Sequence, residues 1–181
     1  MSRITLPARA DVPAASAPLL DAVEKQLGVV PNMFRTVAQS PAALQALLSF
    51  SGALTKTLDV RTRERIAIAV AQANQCDYCL SAHTYIGLNL AKLDGAEVAL
   101  NRKGASGDPK ADAAVRFAIK VVKTMGGVAD ADLADVRAAG FTEAQVLEIV
   151  SVVSENILTN LLNRVIDTDI DFPTVHAAEA A

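Results

Sequence analysis

From Pro18 onward, apolar residues return every three or four positions with polar residues between them, which is the period of amphipathic helices. Leu19, Leu20, Val23 and Leu27 make the first stripe, and Gly28 with Pro31 ends it. The segment PNMFRTVAQ predicts a second, shorter helix. Ser40 reads as an N-cap with Pro41 in the first helical position, and Leu44, Leu47, Leu48 and Leu54 carry that helix to about Lys56. Another begins near Thr62, with Ile66, Ala67, Val70, Ala71 and Ala73 on its buried side, and residues from about Asp77 to Leu93 read as helix again. NRKGASGDPK predicts a loop between two halves. Ala114, Val115, Ala118, Val121, Val122 and Met125 then recur until Gly126 and Gly127 stop them, and ADADLADVRAAG is a short helix closed by Gly140. Thr142 with Glu143 and Gln145 opens a long helix in the manner of a capping box, running through VLEIVSVVSENILTNLLNRVI.

No segment sustains strand alternation, so the predicted fold class is all-α, a compact bundle of about seven helices. A faint echo at an offset of 80, with Thr62, Ile66 and Val70 falling on Thr142, Val146 and Val150, raises the prospect that the second half is a copy of the first. Residues 1–16, broken by prolines, are expected to be a flexible arm, 17–176 one domain and 177–181 a tail. A chain of 181 residues buries enough apolar surface to need no covalent staple.

Charge and composition narrow the function. Charged residues interrupt every apolar run, so nothing approaches the roughly 20 residues of a membrane span. The first residues lack a secretory core, which predicts a cytoplasmic protein. A net charge of −3 and 4% aromatic residues leave neither a basic field nor stacking platforms for nucleic acid.

Both cysteines of the chain lie in QCDYCLSAH. A bridge across two residues closes almost no loop, so the pair is expected to do chemistry rather than hold the fold. On a helix, positions 76, 79 and 83 fall within roughly 60° of one another, so both sulfurs and the His83 imidazole share one stripe. Helix N-termini, imidazolium neighbours and Cys-x-x-Cys pairing all favour a thiolate, and by helix position alone Cys76 is the expected nucleophile. Glu64, twelve residues before Cys76, could fold back to orient His83. The competing readings are a pair of small buried apolar residues or an incidental disulfide, and a zinc site with three donors, Cys76, Cys79 and His83. His176 lies too near the tail to serve as a fourth ligand and is expected to be solvated. Glu64 taken alone could be a surface partner of Arg61 or Lys56, and Tyr78 a wall of the site or mere packing. The polar row Asn156, Thr159, Asn160 and Asn163 is expected to satisfy buried groups or an oligomer contact.

The stretch RERIAIAVAQANQCDYCLSAH resembles the signature of the alkylhydroperoxidase D-like proteins of the carboxymuconolactone decarboxylase superfamily. Glu64, the twelve-residue gap, the Cys-Asp-Tyr-Cys tetrad and His83 stand where that family's catalytic set stands. LGVVPNMFRTVAQSPAALQALLSF is similar to the family's upstream helices, and the second half matches in helical pattern and length. The resemblance implies a thiol peroxidase, a homotrimer or hexamer, working without cofactor or metal. It assigns Cys79 as peroxidatic and Cys76 as resolving, with Glu64 and His83 as the proton relay. It further implies a small hydroperoxide substrate and a lipoylated or thioredoxin-like dithiol reductant. Better-known members of the peroxidase branch carry a second histidine where this chain has Tyr78. The alternatives are a general thiol-disulfide oxidoreductase, the lactone decarboxylase chemistry of members that lack the cysteine pair, and a redox-switched oligomeric binding module.

Overall fold

A computed structural model describes residues 2–178, and among them the fold is all-helical with no strand. The nine α-helices are α1 (Ala17–Leu27), α2 (Asn32–Val37), α3 (Pro41–Leu54), α4 (Val60–Ala73), α5 (Asp77–Asn89), α6 (Gly95–Arg102), α7 (Pro109–Thr124), α8 (Asp130–Ala138) and α9 (Glu143–Ile166). Two short 3₁₀ turns, Arg9–Asp11 and Ala14–Ser16, precede α1. No helix of the described residues is long and apolar enough to cross a membrane.

Local chemistry sets most of the boundaries. Ser40, Asp59, Asp94, Asp108 and Thr142 each accept a backbone N–H of the following turn, satisfying donors that a helix start leaves free. The cap Asp94 with Glu97 opens α6, a helix that the apolar periodicity does not predict and whose last two residues fall in the predicted loop. Correspondingly α5 stops at Asn89 rather than running on to Leu93, because Lys92 takes φ +55° and the chain turns. At the end of α7 Met125 itself adopts the left-handed conformation and is 83% exposed, so it does not belong to the apolar stripe.

Helix α4 is the axis of the fold. Ile66 to Ala71 are all buried, as befits a helix apolar on every side, whereas Ala73 is exposed at its end. Its Ile68 and Ala71 join the core formed with α1, α2, α3 and α5; its Ile66, Ala69 and Val70 join the core formed with α7, α8 and α9. Gly87 of α5 lets the two helices approach closely, since a Cβ there would stand 3.3 Å from Ile68 Cδ1. Helix α9 is one unbroken rod of 24 residues, so the second half does not repeat the α4–turn–α5 arrangement that the offset of 80 would require.

The chain on either side of the helices is tied down. Arg3 N donates to Ile166 O, Arg35 reaches Pro7 O, Arg9 pairs with Asp21, and the buried Ser16 hydroxyl donates to Ala38 O. The expected flexible arm is thus packed along the domain through residues 2–16. At the other end the segment 169–178 lies across α2 and α5: Asp171 accepts from Asn32 N, Ser81 Oγ from Val175 N, and Asp77 Oδ1 from Ala177 N. Ala177 is buried, so the packed body extends past 176; the remainder of the predicted tail, 179–181, lies outside the described residues.

A buried ion pair fastens α4 to α6. Arg65 Nε lies 2.7 Å from Glu97 Oε1, and Glu97 also accepts from Asn101, Ser106 and Gly107 N. Burial alone would raise the Glu97 carboxyl; these four donors outweigh it and hold its pKa down to about 2. The stability it contributes is therefore present above the ordinary carboxylate value of 4.5 and is lost as the pH falls from there toward 2. Glu97→Gln should cost about 1–3 kcal/mol and flatten that acid limb. Urea denaturation at neutral pH and at pH 3 checks it: an unchanged midpoint would mean that the charge contributes nothing.

Candidate active site

The cysteines are placed by the turn between α4 and α5. Gln75 takes φ +52°, Cys76 N donates back to Ala71 O, and Cys76 becomes the N-cap of α5 with its sulfur accepting from Cys79 N at 3.3 Å. The two Cα atoms are 5.3 Å apart and the sulfurs are joined in a disulfide. Both residues are buried, at 1% and 3% exposure, yet they differ in what they meet. Cys79 lines a mainly apolar cavity of about 570 Å³ between α1, α3, α5 and α9, and Cys76 does not.

His83 follows Cys79 by four residues, one turn along α5, and lines the same cavity. Its Nδ1 lies 2.9 Å from Glu64 Oε2, so Glu64 is not a surface partner of Arg61 or Lys56; α4 delivers it into the site. A carboxylate can only accept, which assigns the proton to Nδ1 and leaves the lone pair on Nε2. Burial pushes the His83 pKa down, but the charge and hydrogen bond of Glu64, helped by the charge of Glu155, outweigh it, and the net direction is up. Glu155 reaches the cavity from α9 and accepts from Ser51 Oγ.

Tyr78 forms part of the wall. Its hydroxyl accepts from Met33 N at 3.2 Å, and its ring meets Phe172 edge to face at 5.8 Å. Burial and the neighbouring Asp171 push its ionisation far above the ordinary phenol value, so Tyr78 is no acid or base near neutrality.

The polar row of α9 divides. Asn156 Nδ2 donates to Val152 O, and Asn160 Oδ1 accepts from Asn74 Nδ2, while the buried Asn160 Nδ2 meets no partner among the described residues. Asn163 is different: its Nδ2 sits 3.4 Å from Cys79 Sγ, 3.1 Å from Met33 Sδ and 2.9 Å from Thr159 O. His176 is not simply solvated, since its Nδ1 lies 2.8 Å from Asp77 Oδ2. Among the described residues no three His, Cys, Asp or Glu side chains are grouped to hold a metal ion.

Of the residues singled out from sequence, Cys79, His83 and Glu64 therefore meet at one cavity, with Cys76 sealed behind Cys79. Glu155, Asn163 and Phe172 line the same cavity. The only sequence signal for the first two was a polar residue at helical spacing inside an otherwise apolar helix, which does not say what it faces.

Comparison with known proteins places this geometry among relatives. The profile of the carboxymuconolactone decarboxylase family matches residues 41–120, which hold Glu64, both cysteines and His83. A solved structure described as an alkylhydroperoxidase AhpD core, an uncharacterized peroxidase-related protein from Ralstonia eutropha JMP134, is 31% identical with a TM-score of 0.82, covering 94% of this chain and 92% of that one. A peroxidase-related protein from Silicibacter sp. TM1040 is 22% identical, with a TM-score of 0.79 and coverage of 92% and 89%. A debrominase solved in complex with 2,3,4-tribromopyrrole shares the fold at 19% identity, with a TM-score of 0.79 and coverage of 94% and 92%. No curated protein matches the chain significantly.

Proposed function

Because this chain belongs to the alkylhydroperoxidase D-like proteins of the carboxymuconolactone decarboxylase superfamily, we propose that it is a thiol peroxidase for organic hydroperoxides. The observation that carries the reading is that Cys79, alone of the two cysteines, opens onto a cavity it shares with a His83–Glu64 pair.

The cycle begins with the disulfide reduced. Cys79 gives its proton to His83 Nε2, and Glu64 stabilises the imidazolium that forms. The thiolate attacks the distal oxygen of the hydroperoxide, the O–O bond breaks, and the leaving alkoxide takes a proton to depart as an alcohol. Cys79 is now a sulfenic acid. The Cys76 sulfur attacks it, the S–O bond breaks with loss of water, and the disulfide returns. Two thiols of a dithiol donor, of lipoyl or thioredoxin type, then reduce the disulfide and complete the electron balance. Cys76 suits the leaving role in that last step, because the N-terminus of α5 favours its thiolate.

The apolar lining supports an organic substrate over hydrogen peroxide. Leu47, Leu48, Leu54 and Ile86 line the cavity, and the exposed Leu27, Val29 and Leu90 extend it to the surface. Burial of both sulfurs counts against indiscriminate exchange with protein disulfides and, of the two donor types, favours the lipoyl group, whose dithiol stands on a slender arm. The reading includes self-association in the cytoplasm as trimers or hexamers, for which the exposed Leu158, Leu161 and Val165 of α9 offer an apolar patch.

The test is intact mass of the reduced protein after one equivalent of cumene hydroperoxide or of hydrogen peroxide. A loss of two hydrogens is expected with both. Burying three or four substrate carbons at about 0.8 kcal/mol each should make the organic substrate faster by about 10²-fold in kcat/KM. An unchanged mass would sink the peroxidase reading, and equal rates would sink the organic preference.

A further inference from the structure

We infer that Asn163 is a catalytic residue, its side-chain amide being the fixed donor that holds Cys79 as a thiolate between its ionisation and its attack. The inference rests on the reading of Cys79 as the nucleophile, and adds to it the group that receives the negative charge. His83 takes the proton; the anion left behind needs its own partner in a cavity lined mostly by hydrocarbon.

The amide is held in one orientation from both sides. Nδ2 donates to Thr159 O at 2.9 Å, one turn earlier in α9, and Oδ1 accepts from Thr168 Oγ1 at 2.8 Å. Thr168 is positioned by the end of the helix itself: Asp167 adopts the left-handed conformation with φ +56°, and Thr168 N turns back to Asn163 O. A flipped amide would press its carbonyl oxygen against Thr159 O. The donor therefore stays on the sulfur side, where Asn163 is 3% exposed.

The count of acceptors matches the donor to the reduced state. Nδ2 carries two protons, of which Thr159 O takes one. The other is shared between Met33 Sδ at 3.1 Å and Cys79 Sγ at 3.4 Å. In the disulfide both sulfurs are neutral and weak acceptors. Once Cys79 is a thiolate it becomes the stronger acceptor by far, because hydrogen bonds to ionised groups are roughly twice as strong as neutral ones. Ionisation therefore draws the proton from Met33 to Cys79 with no movement of the amide.

The experiment titrates the Cys79 thiol by absorbance near 240 nm in a Cys76→Ser background, with Asn163 intact, Asn163→Ala, Asn163→Asp or Thr168→Val. Loss of the donor in Asn163→Ala should raise the thiol pKa by about 1. Asn163→Asp, nearly the same shape, should raise it further by placing a carboxylate against the sulfur. Thr168→Val should raise it less, by freeing the amide to rotate. A merely structural asparagine would leave the thiol pKa where it was while lowering the melting temperature. If Asn163→Ala does not fold, the two near-isosteric variants decide. A thiol pKa unmoved in both overturns the inference. Peroxide turnover of the wild type is read separately, so an inactive protein with a shifting thiol would sink the peroxidase reading alone.

Discussion

Cys79→Ser should lower kcat/KM for organic hydroperoxide by at least about 10⁴-fold, because a serine hydroxyl is neither ionised near neutrality nor able to be oxidised by a peroxide. Cys76→Ser should behave differently. It should react once, stop as the Cys79 sulfenic acid, and turn over only when a free thiol is supplied to take the place of Cys76. The asymmetry follows from the cavity, which Cys79 lines and Cys76 does not. Both variants should fold, since a disulfide spanning so few residues contributes little loop entropy. Single-turnover kinetics with a sulfenic-acid trap checks the pair. A burst that survives in Cys79→Ser and vanishes in Cys76→Ser would reverse the two roles.

The second large effect concerns the relay. Removing His83 should lower kcat/KM by about 10²–10³-fold, and Glu64→Gln by somewhat less, the range expected for a lost general base. The pH dependence separates Glu64 from a mere wall residue. Burial pushes the His83 pKa down and Glu64 is the main influence lifting it, so Glu64→Gln should lower it. A rate that needs neutral His83 rises with pH through that pKa, and in the variant the acid limb should move to lower pH. Stability carries the same signature with the opposite slope. A raised histidine pKa means that the ion pair contributes fully below the ordinary value of 6.5 and is lost as the pH rises through the folded value. Glu64→Gln should remove that slope. Rate and melting temperature measured from pH 5 to 9 test both, and an unmoved acid limb would assign Glu64 to packing.

How far the chain could be read in advance differs from residue to residue for physical reasons. Ser40–Pro41 and the Thr142–Gln145 capping box are local interactions, and both helices begin where those residues predict. Helix α6 escaped because its eight residues, GAEVALNR, lack a long apolar stripe, although Asp94 and Glu97 spelled its cap. The turn at Lys92 was invisible, since a left-handed lysine has no sequence signature comparable to glycine. At the site, Cys76, Cys79 and His83 were legible because a single helix fixes their spacing. Glu64 was legible through family resemblance, because its approach to His83 depends on how α4 and α5 pack. Asn163 arrives from α9, 84 residues beyond Cys79, and Glu155 from the same helix, and no local rule distinguishes an asparagine that meets a sulfur from one that meets a carbonyl.

The clasp over α5 has a consequence for biosynthesis. Asp77 stands between the two cysteines, and the backbone amide it accepts, Ala177 N, lies 100 residues later in the chain. At about 5–20 residues per second, translation leaves α5 waiting about 5–20 s before that segment is made. Until then the cysteine helix lacks its cover, and nascent thiols stand open to whatever oxidant the ribosome's surroundings contain.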